Sequence, residues 1–373
     1  DFKPQPPRSP LPVGPARVAL GRVTACFSRF FSLRFPLPPR FKMASQATSS
    51  EQPAVNDIDP NGDVIMVVGP DKHEMRVSSN SLQLASKVFR AMLGPNWSEG
   101  QGLSKQSPPK VTLEEDDAEA MRTIFCVLHF RDDLVPNKLA PEKVIDIAIE
   151  CDKYDMTSAL RYTSAMWLET TSPWTIVEAG FILTAAFLFG NDEKFKICSR
   201  KLLLFYPQSY LGLLKEDKIG PFLPFTAVYY LVQERHHLQV GVLDIISKGI
   251  TDACTKVQIG SGGGAECGWG NDRKQANTKF LSEHNQISIH NMTVHSLITK
   301  LKEVTDTFDE KGMQHVVTCR TNYAKRHRLS EEETCGRKVK SIVEPAGLCL
   351  FCVRIEGFCD SHKAIREGDS LNG

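Results

Sequence analysis

The chain has 373 residues, 41% apolar and 24% charged, the proportions of an ordinary globular protein with room for one large core or two to three domains. Its formal net charge of +1 conceals an asymmetry, because residues 1–42 hold eight Lys or Arg against one acidic residue and leave residues 43–373 net acidic. An acidic body gives no electrostatic footing for nucleic acid, and eleven cysteines scattered along a chain without a secretory apolar segment argue for a reduced compartment, cytoplasmic and/or nuclear.

In chain order, residues 1–56 read as a disordered N-terminal segment. Residues 1–42 carry nine of the 22 prolines, which break any amphipathic transit helix, and Met43-Ala44-Ser45 reads as a start, so 1–42 are expected to be upstream sequence or a tail. Asp63 to Gly69 is a near-continuous apolar run of strand length, Gly69-Pro70-Asp71 supplies a turn, and His73 to Val77 alternates as a second strand. Ser79 and Asn80 are expected to cap a helix carrying Leu82, Ala85, Val88, Phe89, Met92 and Leu93 on one face. A polar loop through Trp97-Ser98-Glu99-Gly100 leads to a third strand, Lys110 to Leu113. Two further helices follow, one with the stripe Met121, Ile124, Phe125 and Leu128. The other carries Val144, Ile147, Ala148, Cys151 and Tyr154 and opens on Pro141. Cys126 and Cys151 fall on these apolar faces and read as core residues.

Residues 169–259 read as a helical extension. Ile176 to Gly190 is almost wholly apolar, but it is shorter than the roughly 20 residues a membrane span needs and carries Glu178, so a buried helix is expected and no membrane association. Helix continues through Phe195 to Tyr206. Phe225 to Gln233 and Leu238 to Ile250 look like two more helices, although Val228 to Val232 has strand character as well. Residues 260–275 form a glycine-rich linker. Residues 276–373 hold an amphipathic helix, marked by Val294, Leu297, Ile298, Leu301, Val304 and Phe308, and a basic cysteine-bearing tail.

The order of elements over residues 57–168, with the phrases Ser86-Lys87-Val88-Phe89-Arg90-Ala91-Met92-Leu93 and Ala148-Ile149-Glu150-Cys151-Asp152-Lys153-Tyr154, resembles a BTB/POZ domain, most closely its fungal branch. The resemblance implies an α+β fold, a small β-sheet flanked by helices and followed here by a mainly α-helical C-terminal region. It also implies a docking module rather than an enzyme. Adaptors of that family for cullin ubiquitin ligases carry a hydrophobic-x-Glu triplet after the first long helix, a place occupied here by Trp97-Ser98-Glu99. An exposed aromatic can anchor in a groove while the carboxylate fixes register against a basic residue, and the alternative is that Trp97 folds back on its helix with Glu99 solvated. Self-association is the other family habit, but the polar stretch 44–57 lacks an apolar helix to exchange with a partner.

Three patterns invite chemistry. Gly260-Ser261-Gly262-Gly263-Gly264-Ala265 satisfies G-x-G-x-x-A, yet turn-forming residues follow where a dinucleotide site needs a helix, so no nucleotide cofactor is expected. Cys349 and Cys352, followed by Cys359 and His362, give C-x2-C-x6-C-x2-H, the donor set of a structural zinc site, with Cys319 or Cys335 as substitute ligands. Against it stands the reading of Phe351, Val353, Ile355 and Phe358 as a small strand pair with incidental thiols. His236-His237 point about 100° apart on a helix, and Lys325 to Arg328 is a short basic run, so both read as solvated. No catalytic grouping stands out. The expected function is therefore a non-enzymatic interaction protein, a cullin-ligase adaptor or else a transcriptional or chromatin-associated regulator with a zinc-binding tail.

Overall fold

The apolar run lies at the centre of a small sheet because both of its faces are covered. In the computed structural model, which describes residues 56–169, 175–258, 292–302, 335–357 and 359, strand β2 (Val64–Val68) buries Val64, Met66, Val67 and Val68. It pairs antiparallel with β3 (His73–Val77), Val64 opposite Val77 and Val68 opposite His73, around the turn that begins at Gly69. On its other side β4 (Lys110–Leu113) runs parallel, Ile65 opposite Lys110 and Val68 opposite Leu113. A two-residue strand, β1 (Asn56–Asp57), pairs parallel with β3, giving the order β1-β3-β2-β4. Alternation sends Met75, Val77, Val111 and Leu113 inward. A parallel pair needs a crossover, and helices supply it.

That crossover is two helices where one was expected. Helices α1 (Ser79–Ala85) and α2 (Lys87–Met92) meet at Ser86, whose backbone is extended. The Ser86 hydroxyl accepts from Phe89 N at 3.0 Å, capping α2, and donates to the Tyr154 carbonyl at 2.5 Å, a buried bond spanning 68 positions. Capping of α1 also differs from expectation. Ser78 stands at the cap position without a side-chain bond, and it is the Asp63 carboxylate that accepts from Ser79 N (2.7 Å) and Ser79 Oγ (2.8 Å). Leu82, Phe89 and Leu93 are buried, with Ala85, Val88 and Met92 half-buried beside them.

Helices α3 (Ala118–Leu128) and α4 (Pro141–Lys153) bury the two expected stripes, with Leu128 half-buried. Asp117 caps α3 by accepting from Ala120 N at 2.8 Å, and Pro141 occupies the first turn of α4. Helix α5 (Arg161–Trp167) ties back through Trp167 Nε1, which donates to the Pro136 carbonyl at 2.9 Å. Helix α6 (Ile176–Leu188) opens on a capping box between Thr175 and Glu178 and packs on α4 in the broadest helix-on-helix contact among the described residues. Its apolar surface is spent on neighbouring helices, and no helix among the described residues is long and apolar enough to cross a membrane.

Helix α7 (Asp192–Phe205), capped by Asn191, leads through a 3-10 turn (Tyr210–Lys215) to α8 (Phe225–Gln258). Helix α8 is one continuous element, which overturns both the division at residues 234–237 and the strand option for Val228 to Val232. Ala227, Val228, Tyr230, Leu231, Leu238 and Val242 keep a helical burial pattern straight through that region. Residues 294–302 form α9, with Val294, Leu297, Ile298 and Leu301 buried as expected; Val304 and Phe308 lie outside the described residues. Two short helices close the fold, α10 (Cys335–Val343) and α11 (Leu350–Arg354). The second lies where the reading opposed to a zinc site put a strand pair, at Phe351, Val353 and Ile355; Phe358 lies outside the described residues. The fold is therefore α+β, a small sheet with many helices, within the compact unit Pro53–Gly373.

Candidate functional site

Two places bring the sequence-selected residues together. The first is the turn after α2. Leu93 N bonds to Phe89 O, Gly94 N to Ala91 O, and Trp97 N to Gly94 O at 3.3 Å, so the chain folds back on the end of the helix. Ser98–Gly100 form a 3-10 turn closed by Gly100 N to Trp97 O (3.2 Å) and Gln101 N to Ser98 O (3.1 Å). Glycine is required at position 100 by proximity. A Cβ there would stand 2.0 Å from the Gly94 carbonyl oxygen and 2.6 Å from that of Leu93. Pinned in this way, Trp97 stays 59% exposed and does not fold back on its helix. The Ser98 hydroxyl donates to Glu99 Oε2 at 2.8 Å, and the Glu99 carboxyl is held below its ordinary range first by its own backbone N–H and then by Ser98. The turn therefore presents an exposed indole and an ionised carboxylate two residues apart on a hydrogen-bonded backbone.

The second place is the tail. Cys349 is the N-cap residue of α11, Cys352 lies within the helix, and Cys359 follows the turn that ends it. The three sulfurs lie within 4.8 Å of one another. Glu356 takes a left-handed conformation (φ 53°), and Gly357 N reaches the Cys352 carbonyl at 3.1 Å, which brings Cys359 around. Cys359 N then donates to Cys352 Sγ at 3.3 Å. Burial pushes the Cys352 thiol up to about 12, against this N–H, which favours the thiolate. Such a cluster can hold a metal: thiolates suit zinc-class cations and a backbone N–H on a ligating sulfur is an ordinary outer-shell contact. His362 and Cys319 lie outside the described residues, as does the side chain of Cys335, so none is assigned to the cluster.

The segment carrying the thiols is fastened to the helices before it. Arg200 Nε donates to the Ala346 carbonyl (2.7 Å) and Arg200 Nη2 to that of Glu344 (2.6 Å), while Leu348 N donates to Ser199 Oγ (2.7 Å). Arg354 reaches back to the Phe187 carbonyl at 3.0 Å and lies over the Phe187 ring. At Gly347, where φ is 119°, a Cβ would meet the Lys196 carbonyl oxygen at 2.5 Å, so the backbones of α7 and the tail touch directly.

A buried polar cluster joins β4, α3 and α4 and escaped the sequence reading. The Asp116 carboxylate accepts from the Tyr154 hydroxyl and pairs with Lys153. Glu150, only 6% exposed, accepts from Asp117 N at 3.0 Å through Oε1, while its buried Oε2 has no hydrogen-bond partner within the protein. Burial first, then the Asp116 carboxylate, push Glu150 up to about 7. Nothing in the spacing of these residues signals the arrangement.

His236 and His237 are exposed, and no histidine joins a metal-type cluster among the described residues. Cys126, Cys151 and Cys198 are buried without disulfides, and burial pushes all three thiols up. The Gly260 to Ala265 pattern and Lys325 to Arg328 lie outside the described residues. No protein-family model matches the chain, and no curated protein matches it.

Proposed function

We propose that residues 57–168 act as a BTB/POZ-type interaction module and that the protein is a non-enzymatic adaptor, recruiting substrates through its helical region to a cullin-type ubiquitin ligase. The observation that carries the reading is the exposed Trp97 beside the preset Glu99 carboxylate on a rigid turn. A large aromatic already in solvent breaks no packing to dock, and a neighbouring charge supplies register. The order hairpin, two helices, parallel third strand and further helices is compatible with that module. The test is retention of a cullin scaffold by wild-type protein and by the Trp97→Ala/Glu99→Ala double variant. Strong retention lost in the variant is the expected result. No retention by wild type refutes the adaptor reading, and equal retention by the variant refutes the contact.

A second reading is favoured by the three clustered thiols: a regulator that self-associates through the module and holds a structural zinc ion with Cys349, Cys352 and Cys359, His362 completing the set. Four protein ligands would give the ion a structural role. Bound zinc together with salt-sensitive retention on DNA is the result that would favour it over the adaptor.

A further inference from the structure

The thiols sit at both ends of the last described helix, and that placement says what an ion would do. Helix α11 has five residues, well under the roughly 12–15 at which an isolated helix begins to persist in water. It is held instead by its surroundings. Ala346, Leu348, Leu350 and Val353 are buried, and Arg200, Ser199 and Arg354 bind the segment's backbone or reach from it. Cys349 lies where this segment enters the helix and Cys359 where it leaves, so one ion on the three sulfurs would close residues 349–359 into a loop around α11.

We propose that Cys349, Cys352 and Cys359 bind a thiophilic divalent cation of the zinc class and that this ion is a clasp keeping residues 344–359 docked on α7 and α8. The proposal rests on the metal-binding reading of the tail. Donor chemistry selects the ion, since three sulfurs suit soft or borderline cations and exclude magnesium and calcium, which require oxygen. The Cys359 N–H on Cys352 Sγ supplies an outer-shell bond in place before an ion arrives. Thr226 Oγ1, on α8, also donates to the Val353 carbonyl at 3.4 Å, so releasing α11 would break contacts with α8 as well as α7. All three donors belong to this segment, so the ion acts on its docked shape: α11 is too short to persist once released, and its unwinding loses the spacing that brings the three sulfurs together. The ion therefore binds the docked form more tightly than the open one and lowers the opening constant by up to the factor 1 + [M]/Kd, about a hundredfold when free metal is 100 times the Kd of the docked form.

The experiment uses the full chain, stripped with a chelator in a non-thiol reductant so that no disulfide can substitute for the ion. Cobalt(II) is titrated to read the thiolate-to-metal charge-transfer band, and zinc(II) is titrated against it. Amide exchange of residues 344–357 is then followed at buffered free zinc, with residues 141–153 of α4 as internal reference. The expected result is a charge-transfer band displaced by zinc and exchange slowed at least tenfold, up to about a hundredfold, at 100 times Kd in the tail alone. The Cys349→Ser/Cys352→Ser/Cys359→Ser variant, or Cys359→Ser alone if the triple variant loses its circular dichroism, should show no slowing. No band at all overturns both the metal reading and the clasp. A band without slowing, or equal slowing in α4, overturns the clasp and leaves the metal reading standing. Equal protection by magnesium(II) overturns the thiophilic assignment.

Discussion

Replacing Glu150 by Gln tests the electrostatics of the module's core. In the folded protein the Glu150 carboxyl titrates at about 7 against an ordinary 4.5, because burial and then Asp116 disfavour its charge, while the Asp117 N–H and Lys153 compensate only in part. A raised acid pKa means that between these two values the folded state keeps a proton the unfolded state has released. Stability contributed by this group is therefore full below pH about 4.5 and is lost as pH rises through about 7. At about 1.36 kcal/mol per pH unit, the loss amounts to about 3 kcal/mol. Glu150→Gln retains an oxygen for Asp117 N and cannot ionise. Urea unfolding of both proteins from pH 4.5 to 8 should give a difference that grows in favour of the variant by up to about 3 kcal/mol as pH rises, other titrating groups cancelling between the two. Parallel stability curves would refute the reasoning, and would mean that water or relaxation solvates Oε2 in the folded state.

Two further substitutions probe the docking turn and its support. Gly100→Ala should displace the 97–100 turn, because the new methyl meets backbone oxygens rather than a yielding side chain; a loss of about 1–3 kcal/mol in thermal unfolding, with altered Trp97 fluorescence quenching, is expected. Phe89→Ala removes a fully buried ring stacked on Tyr154 at 4.6 Å and also in contact with Phe125, and should cost about 3–5 kcal/mol in denaturant unfolding while leaving residue 97 solvent-exposed.

The residues that were legible beforehand are those whose role is periodic. Val64, Met66 and Val68, the stripes of α3 and α4 apart from half-buried Leu128, and Val294, Leu297, Ile298 and Leu301 are buried as their spacing requires, since a face repeating every 2 or 3.6 residues must find cover. Pro141 marks a helix start by local chemistry alone, whereas the Thr175/Glu178 capping box is visible only in the structure. Where expectation and structure part, the deciding partner is distant in sequence. Ser86 breaks a helix because its hydroxyl is engaged by Tyr154, and Asp63 caps α1 from across the sheet. The region from Glu234 to His237 reads as an interruption from its polar residues. It stays helical because Leu231 and Leu238 remain in the core, His236 and His237 face outward, and Arg235 Nη1 bonds the Pro207 and Gln208 carbonyls at 3.0 and 2.8 Å.

The same division runs through the candidate sites. The family resemblance pointed to Trp97 and Glu99, and donor spacing selected Cys349, Cys352, Cys359 and His362, the last of which lies outside the described residues. Only the tertiary structure decided that Trp97 stands out in solvent, since that depends on Gly100 lying against the end of α2. It also decided that Cys359 returns to the other two sulfurs, through a left-handed turn at Glu356 and a segment held by Arg200 and Ser199 some 150 positions earlier. Glu150 shows the limit most clearly. A carboxyl's charge is governed by what surrounds it, and Asp116, Asp117 and burial reach Glu150 only when the chain has folded.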